Sequence, residues 1–431
     1  MRTRTHVRTG KLAVAAAIML SMWCTDWPTR FERIDADQLR VLDFTFANLS
    51  DSTAQLCDFA PGDSVLLTAY FCGKPLESIE WEVSWNVQVD LYGSDTAFDR
   101  QPLVYEYVPI DSSAFSDSTE MRAIKFKIPD DVLEDNASIY DAALTALGLG
   151  ELDASDLLAL IDYYAQLSSD ERKSDPQVAP LHTVMEQYAP AFMQALSVPV
   201  RIYARANDVY RIRTTLVVRC NRLLRDVPGV FVNHNPEIRF VGVHKVKAPP
   251  PANFTVQGMD RADTTYCLFS TEPAASRTAS RLHQAGVAGP AVLFTDTITI
   301  DTGFAYYVAV DSGVYDGVDL RDTAQGVIYN EGVPTIGSPA PETYYTLFFY
   351  QFDADEITGL DNEEMMQINS MGGIDEDLLP PLDTGLTHAT LWVQVQDSYF
   401  GGRNRPVGSS LVETRLHFEY TPGYADSVSS L

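Results

Sequence analysis

Positive charge is scarce in this chain. Its 431 residues hold 31 Lys and Arg against 59 Asp and Glu, a formal net charge of −28. Four of the basic residues (Arg2, Arg4, Arg8 and Lys11) lie in the first eleven positions, and residues 1–23 carry no Asp or Glu, so the remainder sets 27 basic against 59 acidic side chains. Such a surface repels phosphate backbones, which argues against nucleic-acid binding. It is equally unsuited to docking on anionic lipid headgroups and suits solubility, high salt or divalent cations. Cysteine is also sparse, at 5 residues with none in C-x-x-C spacing, which speaks against zinc binding and dithiol redox chemistry. There is no G-x-S-x-G elbow, no H-E-x-x-H pair and no Gly-rich phosphate loop. The seven histidines (His6, His182, His234, His244, His283, His388 and His417) lie at spacings that suggest no catalytic triad. No apolar run reaches the roughly 20 residues that a membrane-spanning helix needs.

What is present begins at the N-terminus. Residues 1–11 (MRTRTHVRTGK) are basic and residues 12–23 (LAVAAAIMLSMW) are apolar and uncharged, which is the order of a secretory signal. Leu20-Ser21-Met22-Trp23-Cys24 resembles the lipobox of bacterial lipoproteins, although Trp23 is larger than the small residue that pattern carries before its cysteine. The resemblance implies lipidation of Cys24, a bilayer as a partner through that anchor, and an exported chain held at the outer membrane or in the periplasm or extracellular space, since Thr25 follows the cysteine. The other reading of Cys24 is an ordinary cysteine beside the signal. Setting it aside leaves Cys57, Cys72, Cys220 and Cys267, an even number that permits two disulfides in three connectivities or four buried thiols. Cys57 and Cys72 flank Pro61-Gly62-Asp63, so the spacing offers them as partners across neighbouring strands.

With 45% hydrophobic and 11% aromatic residues the chain is rich enough to pack two or three cores. The spacing predicts strands at Arg40–Phe46, Ser64–Phe71 and Ile79–Val87, the last alternating so that Trp81, Val83, Trp85 and Val87 share one face. Met121–Ile128, Val198–Ala204, Tyr210–Arg219 and Ile238–Val246 continue the pattern, with Arg211 and Arg213 on the solvent face of theirs. Between them the period changes. Residues 131–197 read as helices, at Ala137–Leu147, at Ala154–Leu167 capped by Asp153, and at about Pro180–Leu196. In the middle helix Leu157, Leu158, Leu160, Ile161, Tyr164 and Leu167 form an apolar stripe. Beyond Pro249-Pro250-Pro251, strands are expected at Thr264–Phe269, Ala291–Ile300, Ala305–Val310, Thr343–Phe352, Thr390–Gln396 and Ser410–Tyr420, with a short helix at Asn362–Asn369.

The expected layout is mainly β: a signal over 1–23, a tether over 24–35, a β-sandwich over 36–248 with the helical insertion at about 131–197, a proline linker at 249–251, and a second β-sandwich over 252–431. This arrangement resembles bacterial surface proteins built of tandem immunoglobulin-like antiparallel sandwiches. No catalytic residues stand out. Asp353, Asp355, Asp361 and Glu364 fall at positions 1, 3, 9 and 12 of a calcium-loop pattern that fails at Ile357 and Thr358. Calcium is thus the one cofactor the sequence offers, against the plainer reading of a solvated acidic loop; Asp311, Asp316, Asp319 and Asp322 form a second loop of that kind. Trp81, Trp85 and Trp392 suit a buried core better than a sugar-stacking platform. The function that fits is a non-catalytic envelope or surface module that binds, adheres or scaffolds, with another envelope protein or an extracellular ligand as partner. The alternatives are a secreted enzyme acting on polysaccharide or peptide and a calcium-stabilised structural module.

Overall fold

The computed structural model describes residues 31–35, 39–50, 57–86, 100–112, 114–132, 154–183, 198–208, 210–218, 234–238, 240–247, 264–269, 291–293, 297–301, 304–309, 318–319, 323–330, 333–341, 343–352, 364–369, 376–378, 388–398 and 408–419. The first part holds β1 (Phe31–Asp35), β2 (Leu39–Asn48), β3 (Ser64–Gly73), β4 (Ile79–Asn86), β5 (Arg100–Pro102), β6 (Tyr105–Val108), β7 (Glu120–Lys127), α1 (Ala154–Gln166), α2 (Ser169–Ser174), β8 (Val198–Ala206) and β9 (Tyr210–Val218). It continues with β10 (Glu237–Ile238), β11 (Phe240–Lys247), β12 (Thr264–Phe269), β13 (Ala291–Leu293), β14 (Thr297–Asp301), β15 (Phe304–Ala309) and β16 (Val318–Asp319). The last strands are β17 (Thr323–Asn330), β18 (Val333–Pro341), β19 (Thr343–Phe352), β20 (Glu364–Asn369), β21 (Glu376–Leu378), β22 (His388–Ser398) and β23 (Ser409–Glu419).

The chain is mainly β, and its sheets are mostly antiparallel. Two four-stranded sheets, ordered β2-β3-β7-β6 and β5-β4-β8-β9, face each other across one core. Period-2 alternation explains it. On β3, Val65, Leu67, Ala69 and Phe71 point into that core, and on β4 Trp81, Val83 and Trp85 answer them while Glu80 and Glu82 stay in solvent. Each fully buried apolar side chain of this kind contributes about 1.5–3 kcal/mol of transfer free energy. The tryptophans are therefore core, as the alternation predicts. The β3 entry is fixed by Ala60-Pro61-Gly62-Asp63: proline at the second position and Gly62 at φ 79° are what a type II turn requires, closed by Asp63 N–H donating to Ala60 O at 3.1 Å. The Asn48 amide holds that turn, donating to Asp63 Oδ2 at 2.7 Å and to Asp58 O at 2.9 Å.

Helices α1 and α2 lie in sequence between β7 and β8. Leu157, Ile161 and Tyr164, spaced i, i+4, i+7, are buried in the same core, and Leu160 and Leu167 pack on its margin. Ser168 and Glu171 form a capping box that starts α2. One turn later Arg172, itself buried, donates to two carbonyls at the C-terminal end of α1, Tyr164 O at 2.9 Å and Ala165 O at 3.0 Å, with its guanidinium 5.0 Å above the Tyr164 ring. Carbonyls that a helix terminus leaves without partners are thus satisfied by a planar fork. Residues 179–183 are helical, at the start of the third expected helix; Ala137–Leu147 lies outside the described residues.

A six-stranded sheet, β1-β20-β19-β22-β23-β14, packs on the other face of β2 and β3. Leu42, Cys72, Phe349, Trp392 and Leu411 are buried between them, with Tyr70, Phe115 and Leu347 at the margin. β2 and β3 are therefore covered on both faces, which is why the apolar residues on both faces of Val65–Phe71 are broken only at Thr68. Two expectations are corrected here. Phe31–Asp35, expected as tether, is a strand paired with β20, and Glu364–Asn369, expected within a short helix, is a strand between β1 and β19. Glu, Met and Gln favour helix in isolation, but two flanking strands supply backbone partners that override that preference. A further sheet, β13-β12-β11-β15-β21, takes in strands from both sides of Pro249-Pro250-Pro251, since β11 pairs with β12 and β15. Among the described residues no helix is long and apolar enough to cross a membrane.

Candidate functional site

Two arrangements of polar side chains stand out, one buried and one open. The buried one is a seam between β2-β3 and β22-β23. The register of β2 against β3 shifts between Val41 and Asp43. This bulge turns two successive residues, Leu42 and Asp43, toward β22-β23, while Val41 and Phe44 pack on the first core. Asp43 Oδ1 accepts from Gln394 Nε2 at 2.6 Å, Ser409 Oγ at 2.7 Å and its neighbour Phe44 N at 2.8 Å. Desolvation nevertheless raises its carboxyl to about 6 from the ordinary 3.8, with Ser409, Gln394, the Phe44 amide and Gln396 pulling the other way. Asn235 extends the seam by donating to Phe46 O at 2.7 Å and accepting from Ser409 N at 3.0 Å.

Further along the same strands Glu413 forms a second lock. Its carboxylate accepts from Trp392 Nε1 at 3.1 Å, from Ser116 N at 3.0 Å and from the Thr119 hydroxyl, and Trp392 Nε1 also reaches Thr119 Oγ1 at 2.7 Å. Asp43 and Glu413 are only 2% and 5% exposed, too deep to meet a substrate. Their chemistry is structural: charge-assisted hydrogen bonds that fix one sheet against the next.

The open arrangement covers the solvent face of β4-β8-β9. Register places Glu80, Arg205 and Arg211 in one cross-strand row and Glu82, Tyr203 and Arg213 in the next, and beyond them the half-buried Arg201 stands opposite Ser84, which is buried. Arg205 pairs with Glu80 at 2.8 Å, both side chains more than half exposed, a contact worth at most about 1 kcal/mol to stability. Glu82, Arg211 and Arg213 are exposed too. Four of the chain's 31 basic residues thus meet on one sheet face of a strongly acidic protein. Guanidinium groups keep their charge at any physiological pH and present forked donors that fit carboxylates.

The sequence-derived candidates fall as follows. Cys57 lies in the core between the first two sheets and Cys72 lies across β3, against Trp392, so the bridge suggested between them does not form, and among the described residues no disulfide is present. The reason is alternation: Cys72 shares its face with Thr68 and Tyr70, opposite to Phe71. Burial pushes the Cys72 thiol well above its ordinary range. Cys24 and Cys220 lie outside the described residues, and Cys267 sits in β12 opposite Gly242. Of the calcium candidates, Asp353, Asp355 and Asp361 lie outside the described residues, and Glu364 opens β20 opposite Asp35. Among the described residues no three His, Cys, Asp or Glu side chains come together as a metal site. Arg211 and Arg213 are on the solvent face, as predicted; Arg201, Arg205, Asp43 and Glu413 carry no motif.

No known family profile matches the chain, and no curated protein does. Among solved structures, the crystal structure of a conserved domain protein from Bacillus anthracis aligns over 89% of this chain and 91% of its own, at 6% identity and a TM-score of 0.14. At that score the alignment carries no argument about fold or activity.

Proposed function

We propose that this chain is a non-catalytic cell-envelope lipoprotein, exported and anchored through Cys24, that displays a binding face on an immunoglobulin-like sandwich. The strand orders β2-β3-β7-β6 and β5-β4-β8-β9 support the sandwich reading, because they match the A-B-E-D and C′-C-F-G sheets of that fold, with α1 and α2 inserted in the connection between its sixth and seventh strands. The observation that carries the functional reading is the open Glu80–Arg205–Arg211 and Glu82–Tyr203–Arg213 array. Guanidinium and phenol groups bind anions and stack, which supports a recognition role for the array. The partner it fits presents surface carboxylates, as another envelope protein or an extracellular ligand would.

The test has two arms. Intact-mass analysis of the mature protein from membranes reads the cleavage site and the lipid on Cys24; an unlipidated chain with residues 1–23 still attached removes the anchor. Binding of the purified protein to poly-glutamate at about 50 mM salt is expected for the wild type and lost on Arg205→Glu with Arg211→Glu. Equal binding by both proteins, or steady turnover of a polysaccharide or peptide, removes the recognition reading.

A further inference from the structure

β6 is the outer strand of the β2-β3-β7-β6 sheet, and among the described residues nothing pairs with its second edge. That edge is open to solvent. Val104, just before the strand, is 89% exposed, Tyr107 is 59% exposed, and Glu106 is exposed between them. An unpaired edge presents a row of N–H and C=O groups that another strand can complete, and charge or proline usually blunts it. Here proline stands only at the ends of the segment, at Pro102 and Pro109, and the Leu103 N–H is already donated to Val83 O at 2.8 Å. Between those ends Val104-Tyr105-Glu106-Tyr107-Val108 reads the same in both directions.

We propose that β6 pairs antiparallel with β6 of a second copy of this chain, about a two-fold axis at Glu106. A two-fold interface has to be self-complementary, so that where one residue meets another the second also meets the first. The palindrome meets that condition: Val104 stands opposite Val108 of the partner subunit, Tyr105 opposite Tyr107 of the partner subunit, and Glu106 opposite its own copy. Register with β7 sets Tyr105 and Tyr107 on the face of Phe126 and Ile124, and Glu106 and Val108 on the face of Lys125 and Ala123. Pairing therefore gathers four tyrosines on one face and extends the edge-to-face contact that Tyr105 and Tyr107 already make at 5.7 Å. On the other face each Val104 comes beside Val108 of the partner subunit, and Val108 lines a cavity of about 710 Å³ with Pro109, Ile110, Phe115, Met121 and Ala123. A valine left almost wholly in water thus gains apolar neighbours. The central row carries the cost. Its two Glu106 carboxylates face each other and repel, and the Lys125 opposite each of them on β7 offsets part of that. Stable interfaces bury about 1,200–2,000 Å², more than five residues of strand supply, so the dimer is weak and reversible. The Glu80–Arg205–Arg211 row lies on the other sheet, so this pairing stands independently of what that face binds.

The experiment is sedimentation equilibrium of the full-length chain from about 10 μM to about 1 mM, a range suited to a weak interface, with Val104→Asp and Glu106→Gln alongside. Both positions are exposed, so neither substitution disturbs a core. Each enters a two-fold interface twice. Val104→Asp removes the apolar contact and adds a second carboxylate near Glu106, and is expected to weaken dimerisation about tenfold or more. Glu106→Gln removes the facing charges and is expected to tighten it about threefold or more. Hydrogen exchange read by mass spectrometry locates the contact: the amides of residues 104–108 should slow as the wild-type concentration rises. A wild type that stays monomeric throughout overturns the proposal. So does a dimer that either substitution fails to move in its expected direction, and so does exchange over 104–108 that is the same at both ends of the range.

Discussion

Asp43→Asn isolates the energetic cost of the seam between β2-β3 and β22-β23. In the folded chain the Asp43 carboxyl is raised to about 6, against 3.8 ordinarily. The folded state therefore holds a proton that the unfolded state has released throughout that interval, and stability falls as pH rises from about 4 to above 6. At 1.36 kcal/mol per pH unit the gap corresponds to about 3 kcal/mol in full, most of which falls between pH 4 and pH 7. Asparagine has the same shape and no charge to bury. Its carbonyl can still accept from Gln394, Ser409 and the Phe44 amide, and its amide can donate to Ser409 Oγ, so the geometry of the seam survives. Urea unfolding at pH steps from 4 to 7, on both proteins, cancels the other 58 acidic groups in the difference. The variant should gain on the wild type by about 2 kcal/mol across that range. A flat difference would show that Asp43 titrates alike in both states. A difference of opposite sign would show that its hydrogen bonds outweigh its burial, and either result refutes the reasoning.

Arg172→Lys keeps the charge but loses the fork that serves Tyr164 O and Ala165 O together, and should lower the unfolding free energy by about 1–3 kcal/mol. An unchanged urea midpoint would count against a capping role. Asn207 sits in the left-handed region at φ 49°, accepts from Glu77 N at 2.7 Å and donates to Pro75 O at 2.9 Å, clipping the β8-β9 hairpin to the connection between β3 and β4. Asn207→Ala should cost about 1–2 kcal/mol for the backbone alone, with the lost hydrogen bonds in addition. Asn207→Gly, which relieves the backbone but not the clip, should recover part of it; equal melting temperatures for the two variants would remove the strain argument.

Local apolar patterning was enough to read β3, β4 and α1, because the residues that define them sit within one element. Val65 to Phe71 and Trp81 to Trp85 bury the side chains that a period of two assigns, and Leu157, Ile161 and Tyr164 do so at a period near 3.6. The seam was beyond such reading. Asp43 meets partners more than 350 residues away, and nothing near it names Gln394 or Ser409. One local trace existed: Val41-Leu42 puts two apolar residues side by side in an otherwise alternating strand, which is how a bulge looks in sequence. Cys72 was legible on the same terms. Counted from Phe71 it falls on the opposite face, which already separates it from the core that takes Cys57. The strand at Phe31–Asp35 could not be read locally, since five residues with two apolar positions acquire a structure only when Glu364–Asn369 lies beside them. The charged face shows the division most clearly. Arg211 and Arg213 mark it in the sequence, but it becomes an array only because the β8-β9 hairpin sets Arg205 opposite Arg211, and β4 sets Glu80 opposite Arg205. In a chain with nearly twice as many acidic as basic residues, a cluster of guanidinium groups depends less on how many arginines there are than on which strands bring them into one row.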